Sequence, residues 1–431
     1  MTREELFELR LPEQRVEAGR RTKERWNALA KPLDGLGRFE EIFVRIGEIR
    51  GTEEIALTPR SLLVFCADNG IVAEGVSQSG QEVTAVVAAS LGDGSSNVCR
   101  MAERCAVQVI PVDIGIAGGK VQLKDAAPDE ILPGHSAELR IAGVRSCSVR
   151  RGTRDFLREA ALTETELLRA IAVGRELAHE RAAAGDKLLA LGEMGIGNTT
   201  SSAAVISALT GLPAEQTAGR GAGLSDAGLQ RKRALIGAAL LRHGLKEPVY
   251  DPAERGSAAR GMKAETHSAR PEGPEVKLCR GKAPRYRDTA PEAELLQGDA
   301  LREARFERGL AALRCVGGLD IAGMVGAMIG AAERRLPLVL DGLITAAAAL
   351  AAEQLCPGIC RFMLASHRGR EKGFSEVCRI LSLHPVIDAD MALGEGSGAV
   401  MLFPLLDLAG AVYSSGRSFE SIQLSPYRRL C

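Results

Sequence analysis

Short, almost uninterrupted apolar runs alternate along the chain with longer segments of helical pattern. The apolar runs predict buried strands over residues 61–68, 106–116, 336–344 and 360–368, and residues 186–197 predict a strand that ends at Leu191 together with its turn. Between them, residues 83–91 and 162–185 predict helices, and the second begins with a capping box of Thr163 and Glu166. Strands without polar alternation that are separated by helices favour an α/β fold, in which a parallel sheet is covered by helices on both faces. Ligands of such sheets bind at the carboxyl ends of the strands.

Two regions depart from this alternation. Residues 1–50 are polar, no strand pattern appears before Ser61, and the segments 15–29 and 37–49 predict helices. Residues 250–305 are rich in Pro, Gly and charge and poor in branched apolar residues, so they have little surface to bury. We expect a mobile insertion there, and this composition fits a solvated insertion better than a functional lid.

Composition narrows the class of protein. The chain has 55 basic and 55 acidic residues and only 3% aromatic residues, which argues against a nucleic-acid partner. The N-terminal MTREELFELR lacks the apolar segment of a secretory signal. The longest uncharged apolar runs, 321–332 and 343–352, are shorter than the ~20 residues that cross a bilayer. We therefore expect a soluble, cytoplasmic protein without a membrane partner.

The ten cysteines form no CxxC pair, which favours reduced thiols and a cytoplasmic location. Cys356, Cys360 and His367 could be imagined as metal ligands. Two small residues beside a turn are the better interpretation of the cysteines. We expect no metal site.

The stretch LALGEMGIGNTTS (189–201) joins a predicted strand to a helix of small residues. Its glycines let the backbone turn tightly and approach a ligand, and the Asn and Thr residues that follow can cap the helix. Free N–H groups and the positive end of the helix dipole would then face the crevice, which is typical of a phosphate site. The spacing is neither GxGxxG nor GxxxxGK[ST], and a purely structural turn stays open. Glu193 would repel a phosphate unless it served another group, such as a ribose hydroxyl or a water.

A second carboxylate is framed by glycines in LGEGSGA (393–399), which precedes an apolar helix. Glu395 has few neighbours there to solvate it, so its pKa can rise toward neutrality, which suits a general base. The alternative is an acidic residue that only favours the helix dipole.

Two polar, glycine-rich loops complete the set of candidate segments. CADNGIVAEGVSQSGQE (66–82) follows the first predicted strand, at the edge where ligands bind. GRGAGLSDAGLQRK (219–232) combines a tight turn with Lys232, which is either a counter-charge for phosphate or a solvated helix lysine.

Together these segments resemble the nicotinate-nucleotide–dimethylbenzimidazole phosphoribosyltransferase family, which makes the α-ribazole phosphate of the cobalamin lower ligand. GEMGIGNTT and LGEGSGA at this spacing are highly specific to that family. The matching stretches follow the family's order nearly from end to end, with only the 250–305 region outside them. They are KPLDGLGRFE (31–40), CADNGIVAEGVSQSGQEVTA (66–85), LGEMGIGNTTSSAA (191–204), GRGAGLSDAGLQRK (219–232), LRCVGGLDIAGMVGA (313–327), PLVLDGLITAAAAL (337–350), ASHR (365–368) and LGEGSGA (393–399).

The resemblance implies a Rossmann-like parallel sheet and a homodimer. It implies a small helical domain built from residues 1–59 and part of the C-terminal region, beside a large α/β domain over residues 60–400. The implied reaction transfers 5-phosphoribosyl from nicotinate mononucleotide to 5,6-dimethylbenzimidazole, releases nicotinate and inverts the anomeric carbon from β to α. The reaction requires no cofactor and no metal, because the leaving nicotinate is already activated as a charged pyridinium.

The same resemblance assigns roles to particular residues. Glu395 is the implied general base, and Glu193 lies near the ribose and the leaving group. The 5′-phosphate is held by Lys232 and by main-chain amides of Gly195, Ile196, Gly197, Asn198 and Thr199. The benzimidazole pocket is lined by Ser77, Gln81 and Leu393. Candidates for ribose contacts, at two further strand ends, are Asp341 and Ser366.

The chain departs from the family after its first strand, where Asn69 replaces the usual histidine. The loop VSQSGQE is also not the commonest version. Related enzymes accept other benzimidazoles, purines or phenols, so a purine or phenolic acceptor stays open. A non-catalytic nucleotide-binding homologue is a further alternative, although such a copy would be expected to have lost Glu193 or Glu395.

Overall fold

The central element of the protein is a six-stranded sheet in which every neighbouring pair of strands is parallel. The computed structural model describes residues 1–118, 141–246 and 292–427. The strand order is β3-β2-β1-β4-β5-β6, so the direction of winding reverses between β1 and β4. This order is that of a doubly wound, Rossmann-like sheet, and the predicted α/β fold is confirmed. The strands are β1 Arg60–Ala67, β2 Val107–Gly115, β3 Arg145–Ser146, β4 Leu188–Met194, β5 Leu338–Leu340 and β6 Met363–Ala365.

Helices cover both faces of the sheet, as predicted. Alternate residues of β1 point into two separate cores: Leu63 and Phe65 lie in one, and Leu62 and Val64 lie in the other. The first core is completed chiefly by the helices Glu164–Ala183, Asn198–Thr210, Asp226–Arg242, Glu292–Val316, Leu319–Glu333, Leu343–Leu355 and Lys372–Ile380. The second core is completed by the helices Val16–Ala28, Arg38–Arg50, Glu82–Gly92, Asn97–Arg104 and Ser397–Ser415. Two short helices, Arg3–Glu8 and Ala214–Thr217, complete the described α-helices.

The two ends of the chain pack against each other. The rings of Trp26 and Phe43 lie 5.4 Å apart, and the ring of Tyr413 lies 4.9 Å from Trp26. The backbone N–H of Phe419 donates to the Ala28 carbonyl at 3.0 Å. These contacts join the same regions that were expected to form the small helical domain, although the division into two domains stays a prediction.

The apolar run 360–368 does not form one strand. After β6 the chain turns at Ser366, whose carbonyl accepts the backbone N–H groups of Val386 and Ile387, each at 3.1 Å. Residues His367–Arg368 (β7) then pair with Ile387–Asp388 (β8) in a separate two-stranded parallel sheet. This pairing links residues about 20 positions apart, so periodicity alone could not predict it.

The apolar helix predicted after LGEGSGA spans Ser397–Ser415 and is longer than either of the uncharged runs 321–332 and 343–352. By length and composition alone Ser397–Ser415 could cross a membrane, but half of it is buried in the protein, which is typical of a core helix. Asp407 on this helix accepts two hydrogen bonds, of 2.7 and 2.8 Å, from Arg60 of β1. That ion pair and Pro404 interrupt the apolar pattern without ending the helix.

The predicted insertion lies mostly outside the described residues. Its last part, from residue 292 onward, is described and belongs to the helix Glu292–Val316, so the expectation of an insertion reaching residue 305 is wrong there. The helix buries Phe306, Leu310 and Leu313 in the first core. The preceding segment is rich in Ala, Glu, Leu and Arg, which extend a helix once one end is anchored.

Candidate active site

Three parallel strands end at the same edge of the sheet, and the predicted site residues follow them. β1 leads into Asn69, β4 ends with Glu193 and Met194, and β5 leads into Asp341. Because the winding reverses between β1 and β4, a crevice is expected to open at this point. The backbone N–H of Asn69 donates to the Ile196 carbonyl at 3.3 Å, which joins the loops that follow β1 and β4.

The glycine loop 195–197 is shaped by close backbone contacts. A Cβ on Gly195 would overlap the Ala67 carbonyl, and Gly197 has a φ of +94°, which favours glycine. The helix Asn198–Thr210 begins directly after the loop, so its positive end faces the crevice. The crevice contains a cavity of about 70 Å³, whose lining includes Ser77, residues 195–199 and residues 220–224.

Two of the predicted phosphate-binding amides already have partners. The backbone N–H of Ile196 donates to Thr84 Oγ1 at 3.2 Å, and that of Asn198 donates to the Gly195 carbonyl at 3.2 Å. These two hydrogen bonds hold the shape of the loop. The part that each loop amide plays in binding phosphate stays a prediction.

Lys232 is the buried cation of this crevice. Its side chain is 0% exposed, and Nζ donates to Thr199 Oγ1 at 2.9 Å. Burial lowers the pKa of Lys232 to about 8, and the negative charge of Glu371 opposes this shift. The alternative of a solvated helix lysine is therefore wrong. A desolvated cation in this position would be stabilised by a bound anion.

Glu193 is a buried carboxyl group whose Oε2 accepts a hydrogen bond from the side-chain amide of Asn198. Burial raises the pKa of Glu193 well above its ordinary value, and the charges of Asp320 and Asp341 raise it further. A Cβ on Gly394 would lie 3.0 Å from Glu193 Oε1, so this carboxyl borders the loop that carries Glu395. The structure thus brings the two predicted carboxyl groups to one crevice.

Glu395 adopts a left-handed backbone conformation, with a φ of +59°, between two glycines of positive φ. Burial raises the pKa of its carboxyl; the backbone N–H of Val98 lowers it, and the charge of Asp341 adds to the rise. Oε2 of Glu395 is buried and has no hydrogen-bond partner among the described residues. A carboxyl group whose pKa is raised and whose Oε2 lacks a partner among the described residues is a candidate general base.

Asp341 and Ser366 make hydrogen bonds to the main chain. Both oxygens of Asp341 accept N–H groups at the start of the helix Ser397–Ser415, and the shortest of these bonds, from Gly398, is 2.7 Å. Ser366 is fully buried, and its hydroxyl donates to the Leu340 carbonyl at 2.6 Å. The ribose contacts expected of these two residues stay predictions.

The three residues expected to line the base pocket lie on two different loops. The Ser77 hydroxyl accepts the Ser79 N–H at 3.2 Å, and Gln81 Nε2 donates to the Asn69 carbonyl at 3.1 Å. Leu393 is 49% exposed and offers apolar surface two residues before the candidate base. Their roles toward an acceptor base stay predictions.

Asp320 is a buried acid of the crevice to which the sequence pattern assigned no role. It lies at the start of the helix Leu319–Glu333, where Oδ1 accepts the Ile321 N–H at 2.9 Å. Burial raises its pKa to about 7, while a hydrogen bond from Asn198 lowers it. Asp320 follows a glycine pair in GGLD, much as Glu395 is framed by glycines. The same signal could therefore have identified Asp320.

Asn69, which stands where the family usually has histidine, is fully buried. Its Oδ1 accepts a hydrogen bond of 2.7 Å from the Ser201 hydroxyl, on the helix that follows the glycine loop. Its Nδ2 has no partner among the described residues. The amide therefore supports the helix that follows the glycine loop through its Oδ1.

The residues with metal-ligating side chains are dispersed. Within residues 1–118, 141–246 and 292–427, no group of three or more His, Cys, Asp or Glu side chains is arranged to hold a metal ion. The cysteines in this part of the chain are all free thiols. Burial raises the pKa of Cys356 and of Cys360 to about 12, so both are neutral at physiological pH.

Comparison with known proteins identifies the family. A phosphoribosyltransferase family model matches residues 11–264 and 293–423. The chain is 35% identical over 415 residues to the nicotinate-nucleotide–dimethylbenzimidazole phosphoribosyltransferase of Chloroflexus aggregans, covering 96% of this chain and 95% of that protein. It is 34% identical over 391 residues to the enzyme of the same name from Bradyrhizobium diazoefficiens, covering 91% and 89%.

Solved structures agree with the sequence comparison. The fold matches the crystal structure of CobT from Thermus thermophilus with a TM-score of 0.71 and 31% identity, over 95% of this chain and 100% of that one. The match thus covers nearly the whole chain. The chain belongs to the nicotinate-nucleotide–dimethylbenzimidazole phosphoribosyltransferase family.

Proposed function

We propose that this enzyme transfers the 5-phosphoribosyl group of nicotinate mononucleotide to 5,6-dimethylbenzimidazole, giving nicotinate and α-ribazole 5′-phosphate. The bond between the anomeric carbon and the pyridinium nitrogen breaks, and nicotinate leaves with the electron pair. A benzimidazole nitrogen forms the new bond on the opposite face of the ribose, which inverts the anomeric carbon. The other benzimidazole nitrogen releases its proton to a base. The product supplies the nucleotide loop of cobalamin.

The observation that carries this proposal is the buried cation at one end of the crevice. Lys232 and Thr199 are joined at 2.9 Å at the positive end of the helix Asn198–Thr210. A 5′-phosphate placed there would gain a charge-assisted hydrogen bond and would relieve the unfavourable burial of the ammonium group. A phosphoribosyl donor needs such a cationic site for its 5′-phosphate, which takes no part in the reaction.

Glu193 fits a site beside a phosphate only if it is neutral. Burial raises the pKa of Glu193 well above its ordinary value, which favours the neutral carboxyl. A neutral carboxyl does not repel the phosphate, and it can donate a hydrogen bond to a ribose hydroxyl. This resolves the conflict that a carboxylate in a phosphate loop would otherwise create.

Glu395 is the proposed general base. Its pKa is raised by burial, and its Oε2 has no partner among the described residues. It can therefore accept the benzimidazole proton as the new bond forms, a contribution of about 10²–10⁴ in rate. The exposed side chain of Leu393 would pack against the flat face of the acceptor.

A purine or phenolic acceptor and a non-catalytic homologue are the alternatives. A purine would need polar partners beside Glu395, whereas Leu393 contributes apolar surface there. A non-catalytic copy would have no reason to keep both carboxyl groups in one crevice. Benzimidazole transfer is therefore the interpretation that the site supports best.

A direct transfer assay tests the proposal. The purified protein is incubated with nicotinate mononucleotide and, in separate reactions, dimethylbenzimidazole, adenine or p-cresol, and chromatography follows nicotinate and new riboside. We expect the fastest nicotinate release with dimethylbenzimidazole. Faster release with adenine or p-cresol would favour the other acceptor class, and no release with any acceptor would favour the non-catalytic alternative.

We further propose that the enzyme is a homodimer in the cytoplasm. The helix Ser397–Ser415 exposes a lengthwise apolar stripe in which Met401 is 46% exposed, Leu408 69% and Val412 38%. A second copy of the chain would cover this stripe. Leu408→Glu should yield a monomer in sedimentation velocity, whereas Leu241→Glu, at a similarly exposed position on another helix, should remain dimeric. A wild-type monomer would contradict the proposal.

A further inference from the structure

The start of the helix Ser397–Ser415 is held by a residue from another strand. Asp341 follows β5 and accepts three main-chain N–H groups from the glycine-rich turn that leads into the helix. Oδ2 accepts from Gly396 at 3.2 Å, and Oδ1 accepts from Gly398 at 2.7 Å and from Ala399 at 3.3 Å. These amides have no partners within the first helical turn, so Asp341 caps the helix from outside its own sequence.

The capped turn is the one that carries Glu395. Gly394, Glu395 and Gly396 have φ angles of +82°, +59° and +85°, so three consecutive residues are left-handed. For glutamate this conformation is unfavourable by about 1–2 kcal/mol. An isolated chain would not keep it, and the surrounding contacts must therefore select it.

Two close contacts with the sheet also hold the turn. A Cβ on Gly192 of β4 would lie 2.5 Å from the Glu395 carbonyl carbon, so the strand backbone lies directly against the turn. A Cβ on Gly396 would overlap the side chain of Leu62 in β1. The turn that carries Glu395 is thus held by the backbone of β4, by the side chain of Leu62 and by the Asp341 carboxylate.

His367 lies next to Asp341. Its Nδ1 is 3.9 Å from Asp341 Oδ1 and 3.1 Å from the Ser366 hydroxyl oxygen. The single hydroxyl hydrogen of Ser366 is donated to the Leu340 carbonyl at 2.6 Å. The Ser366–His367 hydrogen bond therefore requires a proton on Nδ1, and that proton also faces the Asp341 carboxylate.

His367 also packs directly against the turn. A Cβ on Gly398 would overlap the imidazole ring, so only glycine at position 398 lets the ring and the helix approach this closely. The ring also stacks on Phe374, with the ring centroids 6.2 Å apart and the planes 19° from parallel. The ring is therefore fixed in position by packing as well as by hydrogen bonding.

We propose that Asp341 and His367 are positioning residues that hold Glu395 in its reactive orientation through the turn 394–399. This inference rests on the proposed role of Glu395 as general base. Under this proposal Asp341 binds the main-chain N–H groups of the turn rather than the ribose of the donor. Neither residue touches the reacting atoms, and both act on the rate through the position of the base.

The variants Asp341→Ala and His367→Phe test the pair. The first removes the acceptor of three N–H groups, and the second keeps a ring of similar size while removing Nδ1–H. We expect kcat to fall about 10- to 100-fold in each, with the KM for nicotinate mononucleotide within twofold of the wild type. His367→Asn, which can present an amide N–H at the place of Nδ1, should recover most of kcat.

The matched control is Asp407→Asn, which weakens the pairing with Arg60 on the same helix, away from the turn. It should lower thermal stability while leaving kcat unchanged. Calorimetric titration with nicotinate mononucleotide shows whether each variant keeps a folded site. If Asp341→Ala does not fold, the comparison of His367→Phe with His367→Asn decides the question on its own.

Two results would overturn the proposal. An unchanged kcat with a KM for nicotinate mononucleotide raised tenfold or more in Asp341→Ala would place Asp341 on the ribose. A wild-type kcat in both His367 variants would show that the ring does not influence the base. Glu395→Gln, measured in parallel, separates a failure of the positioning proposal from a failure of the proposed general base. If this variant retains full kcat, the assignment of Glu395 as the base is refuted.

Discussion

Replacing Lys232 with methionine should stabilise the protein and weaken its binding of the donor. Methionine keeps an unbranched apolar stem and removes the ammonium group. The pKa of Lys232 falls from 10.5 to about 8 in the folded protein, which corresponds to about 3 kcal/mol against the charged form. Loss of the hydrogen bond to Thr199 offsets about 1 kcal/mol of the gain. We therefore expect the free energy of unfolding at pH 7 to rise by about 2 kcal/mol.

The gain in stability should depend on pH. Below about pH 8 Lys232 is charged in both the folded and the unfolded chain, so the full burial penalty is present. Between about pH 8 and 10.5 the folded protein has lost a proton that the unfolded chain still holds, so the wild type gains stability as the pH rises. Urea unfolding at pH 7 and pH 9.5 should therefore show a smaller difference between K232M and the wild type at the higher pH.

The same substitution should weaken binding of nicotinate mononucleotide about 10- to 100-fold. A charge-assisted hydrogen bond to phosphate contributes about 1.5–3 kcal/mol, and methionine cannot form it. Calorimetric titration measures this loss directly. Arg231, exposed on the same helix, provides the control: R231M should change neither stability nor affinity. A K232M variant that binds the donor as tightly as the wild type would refute the placement of the phosphate.

Three further predictions concern the carboxyl groups and the glycine loop. E395Q should lower kcat about 10²–10⁴-fold in the transfer assay while calorimetry shows unchanged donor binding, and an unimpaired rate would contradict the base assignment. G195A should lower the melting temperature and abolish donor binding because its methyl group would overlap the Ala67 carbonyl, whereas G237A, at an open helix position, should leave both intact. As the pH rises from about 4 to 7, the contribution of Asp320 to stability should fall, because its raised pKa, about 7, lets the folded protein hold a proton that the unfolded chain releases. D320N should show a shallower loss in urea unfolding, and an equal slope would contradict the burial argument.

Local sequence pattern predicted most of the secondary structure because each buried element carries its own signal. The run 61–68 contains no polar residue before its last position except Ser61, and it forms β1 at Arg60–Ala67. The capping box at Thr163 is present, with hydrogen bonds of 2.7 and 3.2 Å to Glu166. Periodicity could not predict the strand order, since each pairing joins segments tens of residues apart.

The sequence also predicted those site residues that carry a local signal of their own. Glu193 and Glu395 were recognisable because glycines frame them in the sequence, a local feature. The capping of the Glu395 turn by Asp341 depends on the meeting of two segments 55 residues apart, which no local pattern encodes. The burial of Lys232 also follows from tertiary packing, because exposed and buried lysines look the same in a sequence.

The anomeric configuration of the product tests the central claim most directly. The wild-type enzyme is supplied with nicotinate mononucleotide and dimethylbenzimidazole, the riboside is isolated, and nuclear magnetic resonance assigns the configuration at the anomeric carbon. A donor held by its phosphate at Lys232 and attacked from the side of Glu395 should give the α-riboside, with one nicotinate released per product. A β-riboside, or riboside formed without nicotinate release, would contradict in-line displacement at this crevice.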